Sequence, residues 1–207
     1  MDKLSPLIKK IVKITGREPK GNLPKPLYDL VRRDEPMLCV DAALIPNGKK
    51  PSVLLLKRSP HVIAPEKYYT VGGRLPKERH ITKAMRDKIL AETGLKCSVG
   101  LKDIMGFGLA RYPPSRKEKR DFTVVTASLC FAIKLPKQFE KKIKAGDGNT
   151  SWKVFDKIGK NWDSYVMRAV AAAWDRCYGK GWRKGLDKKI KRILADYSDF
   201  VPLKLED

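Results

Sequence analysis

The sequence predicts an α/β fold, a mixed β-sheet layered between helices. Three observations carry that prediction. Residues 37–45, MLCVDAALI, are almost continuously apolar, as a strand covered on both faces would be. Residues 122–133, FTVVTASLCFAI, form a long run rich in β-branched side chains, which suit a pleated backbone. Between and after these runs the apolar spacing changes to the three-and-four pattern of a helix. Strands interleaved with a few helices in this order imply a sheet with helices on its faces.

The elements follow in order. Leu4, Leu7, Ile8, Ile11 and Val12 stand at helical spacing with lysines between them, so a short basic amphipathic helix is expected at 3–15. GREPKGNLPKP, 16–26, breaks regular structure and reads as a linker. After the strand at 37–45, Asn47-Gly48 marks a turn, and SVLLLKR (52–58) returns as the second strand of a hairpin. YYTV (68–71) then runs into Gly72-Gly73. A polar loop follows, and a helix that Gly94 closes. Short strands are expected at 96–99 and 104–110, ahead of the long one at 122–133. AGDGNT (145–150) is a turn; it lacks the oxygen ligands and closing Glu of a calcium loop. Residues 162–177 set Tyr165, Val166, Ala169, Val170 and Ala173 on one helix face. A last helix carries Leu186, Ile190, Ile193, Leu194 and Tyr197, with Lys188, Lys189, Lys191 and Arg192 opposite. The expected organisation is a basic helix and linker at 1–22, an α/β domain at 23–176 and a basic helical extension at 177–207.

Bulk properties narrow the setting. A chain of 207 residues suits one domain of ordinary size with extensions. No apolar run approaches the ~20 residues that cross a bilayer. Lys9, Lys10 and Lys13 interrupt the first apolar stretch, unlike a secretory signal. Cys39, Cys97, Cys130 and Cys177 are far apart and none forms a CxxC, so reduced thiols are expected, with neither a disulfide framework nor a zinc site. An intracellular, cytoplasmic protein is the simplest expectation. Lys and Arg number 45 against 23 acids, a net charge of +22. A field of that sign attracts polyanions, although solubility alone also explains it.

Chemistry is expected in GGRLPKERHITKAMRDKILAETGL, residues 72–95. A glycine pair after a strand lets the backbone turn and a ligand approach without side-chain interference. The helix beyond can project side chains at a phosphate or a metal. A Mg²⁺-bridged diphosphate needs hard oxygen ligands, usually carboxylates. Lys88 and Glu92 share a helix face at i and i+4, and Glu92 combines a carboxylate with a place beside the ligand-facing end. A surface Lys–Glu ion pair is the plainer alternative.

The stretch resembles a Nudix box, which reads G, five residues, E, seven residues, REUxEExGU, with U aliphatic. Counted from Gly73, Arg79 stands for the first Glu, Asp87-Lys88 for Arg-Glu and Ala91-Glu92 for Glu-Glu, before Thr93, Gly94 and Leu95. Outside the box the chain is similar to one Nudix branch, the GDP-mannose mannosyl hydrolases. That branch has a reduced box, GGRV…AELGL, against GGRL…AETGL here. Its first strand carries an Asp, matched by Asp41, and its second reads LLGKR, matched by LLLKR with Lys57-Arg58. Its later strand begins Asp-Phe-Thr and ends Leu-Gly-Phe, like Asp121-Phe122-Thr123 and Leu129-Cys130-Phe131. A segment like YDLVRRDEP (28–36) precedes the first strand, so the anchors span residues 23–175.

The resemblance implies a Nudix α/β/α sandwich that binds a nucleoside diphosphate sugar through Mg²⁺ (or Mn²⁺). It makes Glu92 the metal-binding and catalytic carboxylate, with Gly73 a further metal contact and Gly72 a substrate contact. Arg58 and Arg74 would offer fixed donors to the phosphate oxygens. Asp41 would sit near the bound nucleotide sugar. Plainer roles stay open: Asp41 as a turn cap or an arginine's partner, Arg58 as a strand-end charge. Two departures bear on the reaction. The branch's general-base His falls at Val125, which accepts no proton, leaving His80, Glu78 or His61 for acid–base work. The loop at 111–121, acidic and polar in that branch, carries Arg111, Arg116, Lys117, Lys119 and Arg120 here.

Two functions therefore compete. One is a Nudix-type hydrolase acting with Mg²⁺ on a nucleoside diphosphate linked to another group, the metal neutralising phosphate charge. The other is a degenerate, weakly or non-catalytic Nudix domain that binds RNA or a nucleoprotein assembly. It would use the basic 111–121 loop and the residues from Lys180 to Arg192, where Tyr178 and Trp182 interleave with Lys180, Arg183 and Lys184. Aromatics packed on the domain beneath a solvated charged face are the plainer account of that segment. The partners admitted are a nucleoside diphosphate sugar or related small molecule, nucleic acid, and a second copy in a homodimer.

Overall fold

The computed structural model describes residues 36–60, 62, 64–76, 79–114, 122–146, 148–196 and 200–203. The expectations for the N-terminal helix and linker, His61, Glu78, Tyr197 and the basic loop at 115–121 lie outside these residues.

The apolar run at 37–45 becomes β1 (Met37–Ile45), a central strand of an eight-stranded mixed sheet. The other strands are β2 (Val53–Arg58), β3 (Tyr68–Tyr69), β4 (Val71–Arg74), β5 (Ile104–Tyr112), β6 (Val124–Lys134), β7 (Asn149–Phe155) and β8 (Phe200–Pro202). The helices are α1 (Ile81–Thr93), α2 (Ser164–Tyr178) and α3 (Lys188–Ala195). The sheet order is β3-β2-β1-β6-β5-β8, with β4 also paired to β1 and β7 to β2. β1 and β6 run parallel, from Met37 opposite Thr126 to Ile45 opposite Lys134. The other edge of β1 is shared. Leu44 pairs with Leu54 of β2, while Cys39, Val40, Asp41 and Ala42 pair with Arg74, Gly73, Gly72 and Val71 of β4.

Alternation along the strands gives the sheet two apolar faces. Val40, Ala42 and Leu44, with Leu54, Leu56 and Val71, pack against Ala84, Met85 and Ile89 of α1. Ala43 and Ile45, with Val53, Leu55, Cys130 and Ala132, pack against α2. All five α2 residues expected on one face are buried there. The result is the α/β/α layering read from the sequence. Asp163 caps α2 by accepting the Tyr165 N–H at 3.0 Å. Gly94, in left-handed backbone at φ 70°, closes α1 through its N–H to the Leu90 carbonyl.

The structure differs from expectation at three places. Residues 96–99 form no strand and lead into a 3₁₀ turn, Leu101–Asp103. Their apolar alternation arises because Leu95, Cys97 and Val99 face the α1-side core. β7 begins inside the expected turn at 145–150 and pairs along β2. Asn47 sits in a longer hairpin loop, where its Nδ2 donates to the Leu135 carbonyl at 2.6 Å. The C-terminal helix α3 lays Ile190 and Leu194 into the α2-side core, and Arg168 of α2 donates to the Ile193 carbonyl at 3.0 Å near the end of α3.

Candidate active site

The site is built around the turn in β4. Gly72 lies opposite Asp41 and Gly73 opposite Val40. A Cβ on Gly72 would fall 2.0 Å from Asp41 Oδ1 and 2.3 Å from the Val40 carbonyl oxygen, so glycine alone fits. A Cβ on Gly73 would meet Lys88 of α1, 3.2 Å from Cε and 3.4 Å from Nζ. The turn therefore has Asp41 on its α2 side and Lys88 on its α1 side.

Glu92 reaches the same turn from the last part of α1. It is 3% exposed. Its Oε1 accepts the Gly72 N–H at 3.3 Å, and its Oε2 accepts Asn149 Nδ2 at 3.1 Å. Asn149 is itself anchored by the Gly146 carbonyl at 3.0 Å. The loop before it is stitched to the helix end: the Lys144 N–H donates to the Thr93 carbonyl at 2.9 Å and the Gly146 N–H to that of Glu92 at 3.0 Å. Asn149 escaped the sequence reading. Its one signal was a polar side chain directly after Gly148, and nothing local says which helix it meets.

Asp41 is buried, and its Oδ2 accepts the Tyr165 hydroxyl at 2.6 Å. That hydroxyl also lies 3.2 Å from Cys130 Sγ. The Tyr165 ring stacks on Tyr69, whose hydroxyl shares a 2.6 Å hydrogen bond with that of Tyr112. Burial pushes the Asp41 carboxyl above the usual carboxylate range. The Ser128 and Tyr165 hydroxyls and the charges of Arg58 and Lys88 oppose that rise. Of the two hydroxyls only Tyr165 makes a hydrogen bond; Ser128 Oγ is buried outside bonding geometry. Tyr165 was expected as core, which it is, but its polar end was not foreseen as the partner of Asp41.

Three cations surround the turn. Arg58 follows an irregularity in β2 and is half-buried, its guanidinium 5.6 Å from the Tyr69 ring centre. Its Nε is buried without a hydrogen-bond partner, a state that costs about 1–3 kcal/mol and that an anion would relieve. Arg74 ends β4 and is exposed. Burial pushes the Cys39 thiol up to about 12, with the Asp41 charge adding to the rise, while Arg74, Lys88 and Arg58 all pull it down. All three cations thus lie within electrostatic reach of Cys39, which pairs with Arg74 across β1 and β4. His80 is farther along, exposed at the N-cap of α1 with its side chain outside any capping bond. Val125 lies in β6 opposite Arg111, with no proton-accepting group of its own.

The described donor set does not fit the Mg²⁺ or Mn²⁺ that the resemblance implies at Glu92 and Gly73. Mg²⁺ takes about six oxygens, several of them from water and phosphate, but needs one or two protein carboxylates open to it. Among the described residues no three His, Cys, Asp or Glu side chains are grouped to hold a metal. Both oxygens of Glu92 already accept N–H donors, and an ammonium lies against Gly73. A fixed cation a few ångströms away repels a second one.

No family model matches this sequence, and no curated protein matches it. Solved structures do. The MutT NUDIX hydrolase from Burkholderia pseudomallei aligns with a TM-score of 0.50 at 11% identity, over 66% of this chain and 97% of that one. This chain has the Nudix fold. The MutT protein of Methanosarcina mazei Go1 is also similar, at a TM-score of 0.45 and 17% identity, over 58% of this chain and 77% of that one. A bifunctional NMN adenylyltransferase/ADP ribose pyrophosphatase from Francisella tularensis gives 0.42 and 20%, over 66% of this chain; the match spans 38% of that larger protein.

α1 and the residues just before it hold the stretch that resembles the Nudix box, and two of its altered positions meet. Arg79 and Asp87, at the box positions for Glu and Arg, form an ion pair with each other. The signs of charge at the two positions are exchanged relative to the box pattern. Both side chains are about half exposed, so the pair contributes at most about 1 kcal/mol.

In the C-terminal segment the aromatics follow the plainer account, packing on the domain. Trp182 stands edge-on to Trp174 with ring centres 5.0 Å apart, and its Nε1 donates to Asp175 at 2.9 Å. Arg183 grips the same carboxylate at 3.0 and 2.5 Å, and the Tyr178 hydroxyl donates to the Pro46 carbonyl at 3.3 Å. Trp182 packs on α2, and the Trp182 and Tyr178 rings are both half-buried against the α2-side core. Lys180, Lys184, Lys188, Lys189, Lys191 and Arg192 remain as an exposed charged face. No described helix is long and apolar enough to cross a membrane.

Proposed function

We propose that this chain is a Nudix-type hydrolase acting on a nucleoside diphosphate linked to another group, a nucleotide sugar being the form its sequence resemblance favours. One observation carries the proposal: Glu92 meets the Gly72 N–H and the Lys88 ammonium lies over Gly73, with Arg74 next in the same strand. Backbone without side chains lets a diphosphate approach closely, and arginines offer paired donors to its oxygens. Glu92 is the acid beside the turn, held by Gly72 and Asn149, and is the first choice to take a proton from the attacking water. His80 and Glu78, shortly before α1 in sequence, are the other acceptors the sequence offers. Asp41, beneath Gly72, positions the turn that the ligand crosses.

The test is a hydrolysis assay on a panel of nucleotide sugars and ADP-ribose, in buffer with Mg²⁺ and in buffer with chelator. Wild type should cleave at least one member. Glu92→Gln should cleave it about 100-fold more slowly or worse, the lower range of general-base contributions. Equal rates would remove Glu92 from the reaction, and no cleavage of any member would overturn the proposal.

A further inference from the structure

We infer that Lys88 takes the place of a divalent cation at this site, so that the ligand's diphosphate is bound without metal. The inference rests on the Gly72-Gly73 turn being a nucleoside diphosphate site, as proposed above. It concerns how that site balances charge.

Lys88 stands at a box position for Glu. Glutamate to lysine changes the local charge from minus one to plus one, a swing of two, which equals what one Mg²⁺ supplies. Ala91 removes a further acid one turn on, at another box Glu position. The sequence thus subtracts metal ligands and adds a cation within the same helix face.

Geometry puts that cation where it is useful. The end of the Lys88 side chain lies over Gly73, with Nζ 3.4 Å from where a Cβ would stand, so the missing side chain makes room for the ammonium. Lys88 is half-buried, and charge acts more strongly there than in bulk water. Its field reaches Asp41 and Cys39 across the turn, together with that of Arg58. An ammonium serves phosphate as a compact point charge, and the guanidiniums of Arg58 and Arg74 add directional donors. Lys88 also sits one turn before Glu92 on the same face, so it offsets that carboxylate's repulsion of a phosphate.

Calorimetric titration of the full chain with ADP-ribose and with GDP-mannose tests this, in metal-chelating buffer and again with millimolar Mg²⁺. Wild type should bind at least one probe, with Kd changing less than about threefold when Mg²⁺ is added. In chelator, Lys88→Met should bind about tenfold more weakly or worse, and Lys88→Arg should stay within about threefold of wild type. Lys88→Glu should regain a metal requirement, binding at least about tenfold tighter with Mg²⁺ than without. Thermal melts of each variant report folding, and the wild-type comparison needs no variant. Wild-type binding that appears only with Mg²⁺ overturns the inference and leaves the proposed substrate class standing. So does a folded Lys88→Met that binds like wild type. No binding of either probe in either buffer overturns both readings together.

Discussion

On either side of the Gly72-Gly73 turn lies a buried carboxylate, and the fold surrounds the two differently. Asp41, toward α2, takes its hydrogen bond from a phenol, and burial pushes its carboxyl above the usual range. Glu92, toward α1, accepts an N–H on each oxygen and has a lysine one turn before it on the helix. The Asp41 side is closed by Tyr165, Cys130 and the stacked tyrosines. The Glu92 side adjoins the glycine backbone over which Lys88 lies. The difference teaches that a carboxylate's role depends on the donors packed around it. In the proposed reaction Asp41 is support and Glu92 the working group.

The comparison is broken most severely at Gly72 itself. Gly72→Ala should cost about 3 kcal/mol in urea unfolding, the upper range for overpacking, because the new methyl meets both Asp41 and backbone. Adding Asp41→Ala should not restore stability, since the Val40 carbonyl at 2.3 Å remains in the way. Full recovery in the double variant would show that the Asp41 side chain alone enforces glycine. Next in size, Asn149→Ala removes one donor from Glu92 and loosens the loop held to α1. It should cost about 1–2 kcal/mol and lower turnover together with stability. Unchanged turnover would separate Glu92's orientation from its chemistry.

The smallest effect is a pH dependence on the Asp41 side. A carboxyl whose folded pKa is raised contributes stability below its unfolded value of about 4 and loses it as pH rises through the folded value. Wild type should therefore lose stability relative to Asp41→Asn as pH climbs from 4 toward neutrality, in paired thermal melts at several pH values. The neighbouring Tyr165, Tyr112, Tyr69, Cys39 and Cys130 all have pKa values raised by burial and stay neutral over that range. A difference that grows in the opposite direction would mean that Asp41 is held ionised by its cations.

Much of the fold was legible because apolar spacing records which side of an element faces the core. β1, β2, β6, α1 and the buried face of α2 all lie where that spacing put them. β7 escaped because it starts inside a turn and carries exposed polar positions along β2. β8 has three residues, too few for a period to show. The error at 96–99 has the same root, since alternation reports burial and a strand needs a neighbour as well.

By itself the sequence determined the chemical inventory of the site: a glycine pair, Glu92 and Lys88 on one helix face, and the box positions where charge is exchanged or lost. Short-range spacing suffices for that, because residues four apart on a helix must share a face. Only the tertiary structure decided which groups meet. Asn149 joins Glu92 across 57 residues, and Tyr165 joins Asp41 across 124. Those partnerships follow from strand order and from which sheet face each helix covers, and no local pattern encodes either. The position of Lys88 over Gly73 belongs to the same class, and with it the charge balance of the site.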